Sequence, residues 1–492
     1  VKEDGQKLRP LAGAGGERVR SAASAAAQSG ASRRMRMAPA SQRDRRPDFC
    51  PSRHFRPEVH ANRGFRRFAV QVDRTTRITN DRREENMTLQ HWLSLLAVSF
   101  LAIAGATQVH AQTDPGVTPT TIKIGLFGPL SGPNMAYGFD GLKAAQMWYD
   151  KINKEGGING RKIELAIEDD RCAPDSVVAA VKKLVEQDQV FMLHGGSCSA
   201  AVMPAKEYVV RNKIPWVTLN ASADGAIYPP TGYIFSGTSL TMHAAGGSVI
   251  DFATSYLKAK KIGFINHDDS FGSWNREAAD FVAQEKKVEL ITQSIEPTIT
   301  DVTAPLLKVL AGNPDVLVIM TYARPATLIV KKAYELGFDK PIILTQTGSA
   351  NLEELVQNVG AKDAFKNFYN QDILADVMGG PKIKWVYDMY KQNYPDLAAQ
   401  PDHPNAFMPY GMVSAMEVVN ALKAAGPDLT REKVLAAMST LKFDTGILGG
   451  PIEFRPNDPA GNRRTTYEKF DGVTHQMLPG AYENTWVYQA PK

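Results

Sequence analysis

From Thr121 onward the chain alternates short β-branched runs with amphipathic stretches of helical length, in two series of similar size. The first series predicts strand Ile122–Phe127, a turn at Gly128–Pro133 and a helix over Ala136–Glu155 that Gly156-Gly157 stops. Strand Ile163–Glu168, helix Asp175–Gln187, strand Phe191–Leu193, helix Ala200–Arg211 and strand Trp216–Leu219 follow. The second series begins with helix Met242–Lys258 and strand Ile262–Asn266. It continues through helix Ser273–Glu285, strand Glu289–Gln293, helix Val302–Ala311, strand Val316–Met320, helix Ala326–Leu336 and strand Ile342–Leu344. Strands separated by helices make parallel sheets covered by helices, so the fold class is α/β, with two Rossmann-like lobes rather than one long sheet. After Leu344 the rhythm breaks: Lys382–Tyr394, Ala406–Ala425 and Arg431–Met438 are helical, and only Pro451–Phe454 and Trp486–Gln489 look strand-like. Helices without intervening strands must pack on sheets already made. The chain is therefore expected to return to its first lobe and then to its second, leaving a hinge and a cleft. In open α/β sheets the ligand lies beyond the carboxyl ends of the strands.

The net charge of +5 averages two unlike parts. Residues 1–86 hold 20 Lys and Arg, 18 of them Arg, against 10 Asp and Glu, whereas residues 87–492 hold 37 basic and 42 acidic side chains. An acidic folded part argues against nucleic acid as a partner. Residues 1–86 lack apolar periodicity and cannot bury a core. A basic arm and plain disorder are two readings of them; the expectation is translated upstream sequence, with the start at Met87. Trp92–Ala106 is apolar but shorter than the roughly 20 residues a membrane span needs, and Val109-His110-Ala111 follows it. Residues 87–111 are thus expected to be a signal peptide cut before Gln112, placing the protein in the periplasm. A retained N-terminal anchor competes, because no Lys or Arg lies between Met87 and Trp92.

Of the three cysteines, Cys50 falls in the leader and Cys172 and Cys198 remain. A single pair in an exported chain points to a disulfide, with two buried free thiols as the alternative.

The sequence contains no GxSxG, HExxH, CxxC or GxxxxGK[ST], and no GxGxxG after the first strand. An enzyme is not expected, nor is a cofactor or a metal site. The acidic runs His267-Asp268-Asp269 and Glu168-Asp169-Asp170 suit caps and turns. The loops after strands carry small hydroxyls, amides and aromatics instead. Gly195-Gly196-Ser197-Cys198-Ser199 joins strand to helix, where Ser197, Ser199 and exposed N–H groups can hold a carboxylate, a plain helix cap being the alternative. Asn220 and Ser222 follow the next strand, and Tyr137 opens the first helix. In the second series Phe271, Trp274, Tyr322 and Arg324 follow strands. Together these residues describe a cleft for a small organic acid with an apolar body.

The segments IKIGLFGPLSGPNMAYG (122–138), KEGGINGRKIEL (154–165), EDDRCAP (168–174), GGSCSAAVMPA (195–205), NHDDSFG (266–272) and GGPIEF (449–454) occur in this order. In that combination the chain resembles the leucine/isoleucine/valine-binding family, the type I periplasmic substrate-binding proteins of ABC importers, over 120–492. The resemblance implies two lobes joined by a three-segment hinge: 120–240 with 374–448, and 241–373 with 449–492. It also implies a Cys172–Cys198 disulfide, a carboxylate-holding hydroxyl at Ser199, further contacts at Asn220, Ser222 and Tyr137, and Phe271 and Tyr322 where the family has tyrosines. Where amino-acid binders of the family hold the ammonium with carboxylates, this chain has Thr241 and Thr347, with Gln346 beside the latter. A buried ammonium without its counter-charge faces a desolvation penalty of several kcal/mol, on the order of that of other buried ions. The implied ligand is therefore a carboxylate other than an amino acid, with an aromatic or hydroaromatic acid favoured, passed to the permease subunits of an ABC importer. A ligand-sensing receptor domain and a true branched-chain amino acid binder are the alternatives.

Overall fold

The computed structural model describes residues 114–480 and the backbone of Tyr482 and Glu483. The expectations for 1–111, Cys50 included, and for strand Trp486–Gln489 lie outside the described residues. Five strands form the first sheet: β1 (Thr121–Gly128), β2 (Lys162–Asp169), β3 (Met192–Gly195), β4 (Trp216–Val217) and β5 (Ile234–Phe235). They pair in parallel in the order β2-β1-β3-β4-β5. Side chains alternate across β1 with the period of two that a strand imposes. Ile122, Ile124 and Leu126 enter one core with Leu142, Met412 and Val419, and Phe127 enters another with Leu184, Leu193 and Trp216. Both faces are therefore covered, as a parallel sheet requires.

The second sheet begins with β6 (Lys261–His267), β7 (Glu289–Ile295), β8 (Val316–Met320), β9 (Ile342–Leu344) and β10 (Phe368–Asp372). After β11 (Lys442–Phe443) and β12 (Ile452–Glu453), which pair only with each other, it is extended by β13 (Arg464–Phe470), β14 (His475–Met477) and β15 (Tyr482–Glu483). The order is β14-β13-β10-β9-β8-β6-β7, with β15 also on β13; the first five strands run parallel and the late ones antiparallel at the edge.

Two helices far apart in the sequence pack together. α1 (Phe139–Lys154) packs against the C-terminal helix Met408–Ala425, and the two backbones touch where a Cβ on Gly411 would stand 1.9 Å from the Gly141 carbonyl oxygen. Helix Met408–Ala425 is buried nearly all round, which explains its mostly apolar sequence. Ile452 and Phe454 are buried in the same core as Ile122, Ile124 and Leu126, and Phe454 stands edge-on to Phe235 at 5.5 Å. Asn462 Nδ2 donates to the Thr238 carbonyl at 3.1 Å, so the chain rejoins the second sheet only at Arg464.

Two expected helices are interrupted. Pro204, which has no N–H to donate, splits Ala200–Arg211 into Ser199–Val202 and Lys206–Arg211 with a tight turn between them. Asp175–Gln187 becomes Pro174–Lys182 followed by a wider turn over Lys183–Gln187. Cys172 and Cys198 are joined, Cα to Cα at 5.3 Å, which in the chain-entropy account contributes ~3–4 kcal/mol. Beside that bond the acidic run is a strand end and turn: Asp169 accepts from the Leu130 and Arg171 N–H groups, and Asp170 from Cys172 N–H. Among the described residues no helix is long and apolar enough to cross a membrane.

Candidate functional site

The carboxyl ends of β1, β3 and β4 face those of β6, β8 and β9, and the loops they carry enclose a cavity of about 20 Å³. Nine of the residues expected at the site line it: Tyr137, Ser197, Ser199, Asn220 and Ser222 from the first lobe, and Phe271, Tyr322, Gln346 and Thr347 from the second; Arg324, Trp274 and Thr241 do not. Arg324 lies in the first turn of helix Ala323–Glu335, exposed, and faces a separate neighbouring groove. Its helix starts one residue after Tyr322, so the two side chains diverge.

The hydroxyl end is built by backbone geometry. Gly196 adopts φ +87°, which a side chain would disfavour, and its N–H donates to the Phe127 carbonyl at 2.9 Å. That turn brings Ser197 to the cavity lining, 8% exposed overall, with its Oγ buried beside Gly138 and without a hydrogen-bond partner among the described residues. Ser199 Oγ accepts from Ser222 N–H at 3.2 Å, leaving its own proton free to donate. Neither serine caps the short helix that follows; Cys198 holds that position with no side-chain cap bond. Asn220 Nδ2 donates to the Tyr137 carbonyl at 2.8 Å, while its Oδ1 is buried without a partner among the described residues.

The opposite wall is aromatic. Tyr322 lies 5.0 Å from Phe271, 5.4 Å from Tyr137 and 4.6 Å from the His267 ring, centroid to centroid. His267 accepts from Tyr322 N–H at 3.3 Å, and burial holds its pKa below the usual value. Asp269 caps the helix Ser270–Lys286 by accepting from Gly272 N–H, as the acidic run led us to expect. Trp274 does not reach the cavity: it packs against the first lobe, where a Cβ on Gly225 would stand 2.5 Å from it. Tyr137 Oη donates to the Thr347 carbonyl at 3.2 Å and accepts from Ala323 N–H at 3.0 Å, so its hydroxyl is spent on the second lobe. Burial pushes its pKa well above the ordinary tyrosine value.

Thr241, read as a substitute for an ammonium-binding carboxylate, caps the helix Met242–Ser255 by accepting from Ala244 N–H at 3.1 Å and does not line the cavity. Four lining residues were not expected there: Cys198, which was read only as a disulfide partner, Ser239, Phe407 and Tyr410. Tyr410 Oη donates to Asp372 Oδ1 at 2.7 Å and stands 3.4 Å from Gln346 Oε1; burial pushes the Asp372 carboxyl up to about 6. The available signal was a pair of aromatics three apart at the start of an otherwise aliphatic helix. The lining holds no Asp, Glu, Lys or Arg. Its hydroxyls and amides can donate to a carboxylate and its rings can cover an apolar body, but it supplies no fixed charge to neutralise an ammonium.

The family model described as periplasmic binding protein matches residues 121–467. An amino acid binding protein of Pseudomonas aeruginosa is 28% identical over 228 residues, 45% of this chain; the match spans 58% of that relative's length. The leucine-, isoleucine-, valine-, threonine-, and alanine-binding protein of the same organism is 24% identical over 71% of this chain and 89% of its own. Among solved structures, the branched-chain amino acid transporter substrate binding protein LivJ of Streptococcus pneumoniae, in complex with isoleucine, superimposes with TM-score 0.61 at 24% identity, covering 73% of this chain and 99% of its own. An ABC transporter solute binding protein of R. palustris in complex with 4-hydroxybenzoate gives TM-score 0.64 at 18% identity, covering 74% and 97%. These structural likenesses are of fold, and the fold is that of type I periplasmic binding proteins. The chain therefore belongs to the periplasmic binding protein family.

Proposed function

We propose that this protein is an exported, periplasmic solute-binding component that captures a small carboxylate-bearing ligand by hinge closure and delivers it to the permease subunits of an ABC importer. The observation that carries this reading is the buried Ser197 hydroxyl, without a partner among the described residues, beside Ser199, whose proton is free. Buried polar groups are almost always satisfied, so an orphan hydroxyl on a residue that lines a cleft supports a ligand acceptor. We place the lobes at 120–240 with 374–463 and 241–373 with 464–480, the cleft between them. The absence of any charged side chain in the lining supports an acid without an α-amino group, aromatic acids included, and the R. palustris neighbour is in complex with one such acid. The named relatives favour a second reading, a branched-chain amino acid. A thermal-shift screen of the purified protein against aromatic acids, aliphatic acids and amino acids separates the two, because a ligand that binds only the folded state raises the melting temperature. A shift with acids and none with leucine, isoleucine or valine is expected; the reverse pattern overturns the first reading. Turnover of the ligand that shifts the protein most would overturn the assignment as a binding protein.

A further inference from the structure

Tyr137 and Tyr322 line two spaces at once: the inner cavity and a neighbouring groove of about 650 Å³. Small-molecule sites enclose roughly 300–1,000 Å³, so the inner cavity alone is far too small for an organic acid, while the groove lies within that range. The two spaces also differ in chemistry. The cavity sets hydroxyls and amides against an aromatic wall and holds no charged side chain, whereas Pro133, Ala136, Pro297 and Leu328 present apolar atoms to the groove, with a polar rim at Arg324, Glu354 and Asn358. What separates them is two tyrosine rings 5.4 Å apart. The Tyr137 hydroxyl is bonded to Thr347 and Ala323 on the other lobe, so an opening of the lobes that breaks those bonds would free the ring from between the two spaces.

We propose that the Tyr137–Tyr322 pair divides one continuous ligand site into a polar head chamber and an apolar outer groove, and that the ligand is an extended acid whose carboxylate enters the chamber while its hydrocarbon body occupies the groove. The inference rests on the carboxylate reading above and adds the length and polarity of the rest of the molecule. Burial of each methylene of the body in the groove strengthens binding by up to about fourfold, the equivalent of ~0.8 kcal/mol.

The test is calorimetric titration of the protein with butanoate, hexanoate, octanoate and decanoate, with 1-decanol as the uncharged control. Affinity should rise at least tenfold from butanoate to decanoate, and decanol should bind at least tenfold more weakly than decanoate. Two groove variants locate the effect: Asn358→Trp, at an exposed position on the rim, fills the groove, and Leu328→Gln makes its half-buried wall polar. Each should weaken decanoate at least fivefold and leave butanoate within twofold. A flat chain-length series with butanoate binding intact, or variants that treat long and short acids alike, overturns the groove assignment and leaves the head-group reading standing. Decanol binding as tightly as decanoate, or no acid binding at all, removes the carboxylate reading and the inference with it.

Discussion

The hydroxyl of Tyr137 donates to the main-chain carbonyl of Thr347 at 3.2 Å, bridging the loop that follows β1 in the first sheet to the loop that follows β9 in the second. The same oxygen accepts from Ala323 N–H, and the same ring forms a wall of the cavity. Ala406 N–H on the first lobe also donates to Ala350 on the second, at 2.8 Å. These inter-lobe bonds lie within or beside the cavity walls, so under the proposed hinge closure they would couple occupancy to lobe position.

Replacing Tyr137 with Phe tests that coupling. The ring remains, but in the closed form Ala323 N–H loses its acceptor and Thr347 its donor, whereas in the open form both can reach water. The closed state should lose ~1–3 kcal/mol relative to the open one. Ligand affinity measured by calorimetry should fall about 5- to 150-fold, with scattering showing a larger radius of gyration at subsaturating ligand. Unchanged affinity would mean that the hydroxyl bridges the lobes without holding them.

Ser197 and Ser199 should separate binding from folding. Ser199 Oγ already accepts from Ser222 N–H, so Ser199→Ala leaves a buried donor unpaired and should lower both the melting temperature and ligand affinity. Ser197 Oγ has no partner among the described residues, so Ser197→Ala should leave the ligand-free melting temperature unchanged. Each charge-assisted bond to a carboxylate lost should cost ~1.5–3 kcal/mol of binding, and the methyl ester of the ligand should bind poorly to the parent protein. Full affinity for the ester would move the carboxylate elsewhere.

Most of both sheets was legible because their strands are runs of Ile, Val, Leu and Phe set between helical stretches. β10 was not. Its sequence, FYNQD, is half polar because Gln371 is buried and donates to Ala245 O and Ser248 Oγ, a long-range arrangement with no local signature. β13, with Arg, Thr and Glu among its residues, was hidden for a similar reason: Glu468 accepts from Asn370 Nδ2 on the neighbouring strand. At the site, loop hydroxyls and aromatics after strands were legible from topology alone. Tyr410 was not, because within Met408–Ala425 it reads as one more buried aromatic, and only its bond to Asp372 places it at the cleft. Thr241 and Arg324 show the converse: a hydroxyl after a strand serves equally as a helix cap, and a residue two beyond a wall residue points elsewhere on a helix.

Glu417 should make stability fall as pH rises. It is fully buried on the C-terminal helix, accepts from Thr238 Oγ1 at 3.0 Å, and burial pushes its carboxyl up to about 8. Unfolded, it would titrate near ~4.3. Between those values the folded state binds more protons than the unfolded one, so this group lowers stability by ~1.4 kcal/mol per pH unit, and the slope ends above about pH 8. Glu417→Gln keeps the shape and removes the titration. Denaturation from pH 5 to pH 7 should show the parent losing on the order of 3 kcal/mol relative to the variant. Asp170 and Asp372, both pushed up to about 6, titrate in both proteins and cancel from the comparison. Parallel pH profiles would show that Glu417 is solvated or paired in the folded protein.

The sharpest prediction concerns the ammonium group. Gln346 and Thr347 line a cavity that holds no carboxylate, and the nearby acid, Asp372, already accepts from Tyr410 and from the N–H groups of Ile373 and Leu374. Asp269 is engaged as a helix cap, and neither it nor Asp268 lines the cavity. Neutral acceptors can bond an ammonium but leave its charge uncompensated in a closed cleft. Leucine, isoleucine and valine should therefore bind at least tenfold more weakly than the best acid lacking an α-amino group, a gap of ~1.4 kcal/mol. Gln346→Glu supplies the missing charge at nearly the same shape. It should raise leucine affinity at least tenfold and lower that of the simple acid, whose carboxylate then shares the closed cavity with another. Calorimetry on both proteins decides the matter. Micromolar leucine binding by the parent, or a variant indifferent to the change, would show that the charge-free lining does not set the choice between acids and amino acids.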